Sequence, residues 1–290
     1  MTVSRRRFLA ISAAFAMTPR RGAAETWRGR AFGAEVTLTV QGPRDQTGPL
    51  VEKARKLLQE VEQLFSLYDP QSDLNQLNRT GRLAPSPLFH RLMLAADAAH
   101  RQTQGLFDPT VQPLWHALAK GQDPNTASQS VGWNRVRFDL QQITLGAGQK
   151  LTFNGIAQGF ATDLVTAMLQ REGLRDVLVN IGEYRALGGP WTLGLEDPNH
   201  GYFGTRTLTN RAIATSSPQA TPLGKTGHII HPRAVPQWST VSVEASTATV
   251  ADSLSTALAL APLELIERLR VQKNVHRITL VDHSGDLVTL

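Results

Sequence analysis

The stretch "STATVADSLSTALAL", residues 246–260, constrains this chain more than any other. From Val250 onward, Leu254, Ala257, Leu258 and Leu260 recur at the spacing of a buried helix face. The same helix carries Asp252, Ser255 and Thr256 in its first turns, and spacings of three and four bring their oxygens to one side. Two readings meet this pattern. Ser, Thr and Asp satisfy free amides at a helix start, so the three are caps; or a carboxylate and two hydroxyls converge because they hold something.

With 290 residues and 41% hydrophobic content, the chain can bury one large core. No internal repeat or low-complexity tract interrupts it. The net charge of +6 suggests a polyanion as partner, but five of those charges are Arg5, Arg6, Arg7, Arg20 and Arg21 in an N-terminal stretch without acids. The remainder is nearly neutral, so no basic stripe is left for phosphates and no nucleic acid is expected as partner. The N-terminal "SRRRFLAISAAFAM" has a twin arginine, an apolar run from Phe8 to Met17, and then Gly22, Ala23 and Ala24, which suit cleavage. The run is too short for a stable membrane anchor. It resembles a twin-arginine leader, which makes residues 1–24 a signal peptide and the twin-arginine translocase a partner. Residues 25–290 are then a periplasmic domain. With no cysteine, neither a lipid anchor nor a disulfide is available.

Strand and helix signals interleave after the leader. "EVTLTVQ" (35–41) alternates as a strand does, and a helix is predicted over Pro49–Tyr68 and another from Leu88 to about Gln102. Short strands are predicted at 135–139, 176–180, 191–195, 212–214, 239–245 and 276–282, punctuated by Gly and Pro without a long linker. No strict βαβ rhythm appears, so the fold class is α+β with mixed strands and helices.

Familiar chemistry motifs are missing. No Gly-rich loop with a lysine cradles a phosphate, no G-x-G-x-x-G follows a strand, and neither HExxH nor a cysteine cluster offers a zinc site. Two of the eight histidines lie close together only in "GHIIHPR" (227–233). In a strand, His228 and His231 would face opposite sides and would not share a metal.

Seven segments in order carry the identification. "SLYDPQSDLNQLN" (66–78), "GLFDPTVQPL" (105–114), "FNGIAQGFATDLV" (153–165) and "VNIGEYRALG" (179–188) are followed by "IATSS", "GHIIHPR" and "VSVEASTATVADSLSTALAL". Together they resemble the successive signatures of the ApbE family, the FAD:protein FMN transferases, over nearly the whole chain after the leader.

That resemblance implies a compact, bilobed α+β fold related to the T-fold. It also implies an enzyme that cleaves FAD, releases AMP and attaches FMN to a threonine of a periplasmic or membrane-bound flavoprotein acceptor, with Mg2+. Asp252 and Thr256 match the family's metal-binding D-x-x-x-T pair, with Ser255 as a further oxygen and a backbone carbonyl from Gly155 to Ala157 completing the set. Hard oxygen ligands suit magnesium, and neutralising charge suits phosphoryl transfer. By the same matching Phe32 and Tyr68 pack on FAD, Leu106, Phe107 and Asp108 contact the adenine end, and Asn180 and Gly182 lie beside the nucleotide. Ile229 and Ile230 line the cleft, and His228 is the general base, since imidazole titrates near neutrality. Asp108 has a second reading as the cap of the helix that follows it.

The chain departs from the family pattern at Thr152 and Gln158, which replace a nucleotide-contacting acid and a charged residue. Glu183-Tyr184 stands for Gly-Asn, and His231 for Asp. FAD affinity or acceptor choice is expected to change with them. Two further readings stay open at this stage: a hydrolase that splits FAD into FMN and AMP, and a non-catalytic FAD-binding maturation factor.

Overall fold

The computed structural model describes residues 14–16, 24–41, 47–223 and 226–290. The predicted leader lies outside the described residues apart from Ala24 and the strand Ala14–Ala16, which pairs with Leu193–Leu195.

The described residues build an eight-stranded antiparallel sheet whose spatial order is its chain order. Ala24–Ala31, Ala34–Gln41, Val177–Asn180, Tyr184–Leu187, Ala212–Ser216, Thr240–Ala245, Val275–Val281 and Leu287–Thr289 follow one another across it. Period-two side chains separate its faces. Val36, Leu38, Val40, Val177 and Val179 face one core, continued along the sheet by Ala212, Ala214, Val241 and Val243. Leu178, Tyr184, Ala186 and Ile213 face the other way, under the hairpin Trp191–Asp197 and Gly201–Leu208.

Helices are inserted between strands. The excursion from Gln41 to Val177 holds α1 (Thr47–Phe65), α2 (Asp73–Thr80), α3 (Pro87–Gln102), α4 (Gln112–Ala119), α5 (Pro124–Ser128) and α6 (Ala157–Arg171). Between Ala245 and Val275 stand α7 (Ala248–Leu258) and α8 (Leu263–Arg270). Phe65, Phe89, Phe153 and Phe160 pack edge-on or tilted, with centroids 5.0–6.2 Å apart, and join α1, α3 and α6 beneath the sheet.

Two predicted elements are shorter than expected. α1 ends at Phe65, not Tyr68, because the Ser66 hydroxyl accepts the amides of Tyr68 and Asp69 and turns the chain. Of the strand predicted over 135–139, only Arg137–Phe138 is extended. Residues Trp133–Arg135 form a 3-10 turn, and Asp139 accepts the amides of Gln141 and Gln142 in the next bend. "GHIIHPR" is likewise a strand only at its first residue, within Thr226–Gly227.

Candidate functional site

The site lies at the end of the sheet where Asn180 turns back toward Tyr184 and Ser216 leaves its strand. The Asn180 side chain accepts the amide of Gly182 at 3.0 Å and tightens this turn. Gly182 has φ +91°, and a β-carbon there would fall 2.4 Å from the Gln158 amide nitrogen. The turn therefore rests directly on the first residues of α6. It carries Glu183, which is buried and accepts the Thr215 amide at 3.2 Å.

From the other side α7 meets the same end of α6. A β-carbon on Gly159 would stand 2.3 Å from the Ala248 carbonyl oxygen, and one on Gly155 2.8 Å from the Thr256 hydroxyl. Gly159 lets α6 touch the backbone of α7, and Gly155, just before α6, lets the chain pass against the Thr256 side chain. The contact places Asp252 Oδ2 2.9 Å from the Gly159 amide, which donates to it.

This geometry divides the two readings of the polar helix. α7 is capped by Thr247, which accepts from Val250 N at 3.3 Å, and by Asp163, which accepts the amides of Ala248 and Thr249 at 2.8 and 2.9 Å. Asp252 lies one turn further in and takes an amide of α6, whose Ile156 N-cap makes no side-chain cap bond. It thus serves a neighbouring helix, and Gly155, Ala157, Asp252 and Thr256 line one cavity together. Ser255 is turned away. It is fully buried, donates to the Asp252 carbonyl at 3.0 Å, and shares a hydrogen bond with Ser216 at 2.8 Å. The Ser216 hydroxyl also approaches the Thr256 hydroxyl at 3.4 Å.

Two carboxylates consequently sit in one buried place. Burial, then the Asp252 charge, raises the Glu183 carboxyl well above its ordinary value, with the Thr215 amide opposing. Burial also raises Asp252, against the Gly159 amide and with Asp163 adding to the rise. A divalent cation between them would remove the repulsion, so the donor set fits a hard cation.

The cavity extends from this point to about 700 Å³, within the usual range of roughly 300–1,000 Å³ for small-molecule sites. Asn180, Gln158, Thr152 and Gly182 line it beside the carboxylates. Phe32, Tyr68, Leu106, Phe107, Ile229 and Ile230 line it as well and supply its apolar surface. Phe32 adopts a left-handed φ of 52°, and its amide donates to Glu62 at 2.5 Å. Asp108 also lines the cavity, while its oxygens accept Thr110 N at 2.8 Å, Thr110 Oγ1 at 2.5 Å and Trp133 N at 3.3 Å. Its capping reading is therefore realised.

His228 borders the cavity; His231 does not, and accepts the Arg233 amide at 3.2 Å instead. His228 Nδ1 lies 3.0 Å from the Pro218 carbonyl, which only accepts, so the neutral tautomer that fits this contact carries its proton on Nδ1. Burial pulls its pKa below the ordinary 6.5, partly offset by the Pro218 and Thr221 carbonyls. Sequence reasoning singled out neither Asp163 nor its partner Arg185, an ion pair that anchors α6 to the sheet and α7.

The ApbE family pattern matches residues 32–278. Among curated proteins, a FAD:protein FMN transferase of Chlamydia trachomatis is 28% identical over 125 residues, 38% of this chain and 40% of the relative. One of Salmonella typhimurium is 24% identical over 202 residues, 61% of this chain and 58% of the relative. The chain thus spans less than two thirds of the curated relatives it matches. Solved structures similar to it include the apo flavinyl transferase ApbE of Pseudomonas stutzeri, with TM-score 0.81 and 23% identity over 94% of this chain and 96% of that one. The ApbE protein of Thermotoga maritima has the same TM-score and identity over 92% and 96%. The mixed α and β architecture described above, without a closed barrel, is the fold of these structures.

Proposed function

The chain belongs to the ApbE family, and from that premise we propose that it is a FAD:protein FMN transferase. In this reading a threonine hydroxyl of the acceptor attacks the FMN phosphorus. The bond from that phosphorus to the bridging oxygen breaks, AMP leaves, and the hydroxyl proton passes to Nε2 of His228. A divalent cation, magnesium, supplies charge neutralisation when bound, and Asp252, Thr256 and a backbone carbonyl from Gly155 to Ala157 would hold it. The observation that carries the reading is the single cavity that these groups line together with His228, Phe32 and Tyr68.

The chain's own groups do the rest. At the start of α6 the Ala157 amide donates to the Phe153 carbonyl at 2.8 Å and the Gly159 amide to Asp252 at 2.9 Å, so the helix end offers a pyrophosphate its dipole rather than a row of free N–H groups. Thr152, Gln158 and Asn180 position the nucleotide by hydrogen bonds, and Leu106, Phe107, Asp108, Ile229 and Ile230 enclose its adenine end. Ser255 positions α7 through Ser216 and does not reach the cavity. Acceptor and enzyme would meet in the periplasm, after export through the twin-arginine translocase.

The test incubates the purified protein with FAD, magnesium and a candidate acceptor, and reads flavin fluorescence on the denatured acceptor band. A fluorescent band supports transfer. AMP without labelling would identify a hydrolase, and unchanged FAD a carrier.

A further inference from the structure

Glu183 is 9% exposed and Asp252 3%, and both line the cavity. Each spends one oxygen on a backbone amide: Oε2 of Glu183 on Thr215, and Oδ2 of Asp252 on Gly159. Among the described residues, no hydrogen bond reaches Oε1 of Glu183 or Oδ1 of Asp252. Neither oxygen is sealed from solvent, and two carboxylates lining one cavity without a cationic partner repel each other.

The two groups are fixed by the same turn of helix. The Thr162 hydroxyl donates to the Gln158 carbonyl at 2.8 Å and lies 3.3 Å from the carbonyl of Glu183. The neighbouring Gly159 amide holds Asp252. On the far side, Thr215 holds Glu183 while the next residue, Ser216, touches Thr256. Neither carboxylate can swing to solvent without breaking a backbone contact. No described lysine, arginine or histidine is bonded to either one.

We infer that Glu183 is an additional cation ligand, so that the chain binds a divalent cation between Glu183 and Asp252 before any nucleotide arrives. This rests on the proposed cation role of Asp252 and extends it. Two carboxylates match a divalent charge without help from the phosphates of FAD. Affinity of hard-cation sites follows the number of charged ligands and the rigidity of the site, and both favour binding here.

The probe is Mn2+, titrated into nucleotide-free protein and followed by the electron paramagnetic resonance of the free ion. The wild-type chain binds one equivalent, and Glu183→Gln, which keeps an oxygen for the Thr215 amide, binds about tenfold more weakly or worse. Asp252→Asn loses binding as well. Equal binding by Glu183→Gln and wild type would overturn the role of Glu183. If Asp252→Asn also binds normally, the cation reading of the whole site fails with it. Thermal unfolding of the wild-type chain gives a second reading that needs no variant. Mn2+ without nucleotide raises the midpoint; an unchanged midpoint overturns the inference.

Discussion

Asp252, in the second turn of α7, accepts the amide of Gly159 at the start of α6 at 2.9 Å, so one carboxylate caps a helix other than its own. The two readings of "STATVADSLSTALAL" therefore differ in what a single substitution does. Asp252→Asn keeps an acceptor for that amide, since Asn caps about as well as Asp, but removes a charge from the cavity. The variant is expected to fold, to lose most FMN transfer, and to recover part of it with excess Mg2+ or Mn2+. A stable, fully active variant with an unchanged metal requirement would leave Asp252 as a cap and nothing more.

Thr256→Val tests the neighbouring ligand. It keeps the shape of a side chain packed against Gly155 and deletes the hydroxyl, at a cost in helix propensity of less than about 1 kcal/mol. Weakened dependence on metal at near-native stability is the expected outcome, read by metal titration of the transfer rate beside a denaturation curve. Ser255→Ala, which leaves the cavity wall intact, is expected to lower stability and to leave the metal requirement unchanged.

How much of this was legible beforehand can be judged around α7. Periodicity places Asp252, Ser255 and Thr256 on one side, yet Ser255 and Thr256 are adjacent and thus about 100° apart around the axis. That rotation is enough to turn Ser255 onto Ser216 while Thr256 reaches the cavity. Strands such as Thr240–Ala245 were legible because "TVSVEA" is rich in β-branched residues, Thr240, Val241 and Val243. Gly201–Leu208 was not, since its residues are mostly open to solvent and two are glycines. The meeting of Glu183 and Asp252 at one cavity, and the bonding of Asp163 to the start of α7, joins residues far apart in the chain. No local pattern announces such a pair.

His228 governs the expected pH dependence. Burial lowers its pKa from 6.5, so the neutral base persists below that pH and is lost only on further acidification. The acid limb of kcat/KM for transfer should fall below pH 6.5 and vanish in His228→Ala. That variant should lose about 10²–10⁴-fold in turnover with FAD binding nearly intact. His231→Ala, outside the cavity, should do far less. A larger loss from His231→Ala would mean that the base has been misassigned.

Asp163→Ala should be a stability variant. Asp163 pairs with Arg185 and accepts two amides and the Thr249 hydroxyl at the start of α7, with both partners mostly shielded. Removing it leaves Arg185 unpaired and α7 without its cross-helix cap, a loss of about 3 kcal/mol or more in denaturant unfolding. Unchanged unfolding would show that Thr247 suffices as the cap.

Export tests the N-terminal reading. With Arg5 and Arg6 both changed to Lys, the protein should stay in the cytoplasm, as read by fractionation of cells expressing it. Normal export of that double variant would remove the twin-arginine route.

The account as a whole stands or falls on where the FMN goes. The most direct measurement compares AMP released with flavin covalently bound to acceptor in the same reaction. Equal amounts are predicted, with AMP release falling to background when the acceptor is omitted or its target threonine is changed to Val. AMP released at an undiminished rate without acceptor would contradict the account and make water the true partner of the cleavage.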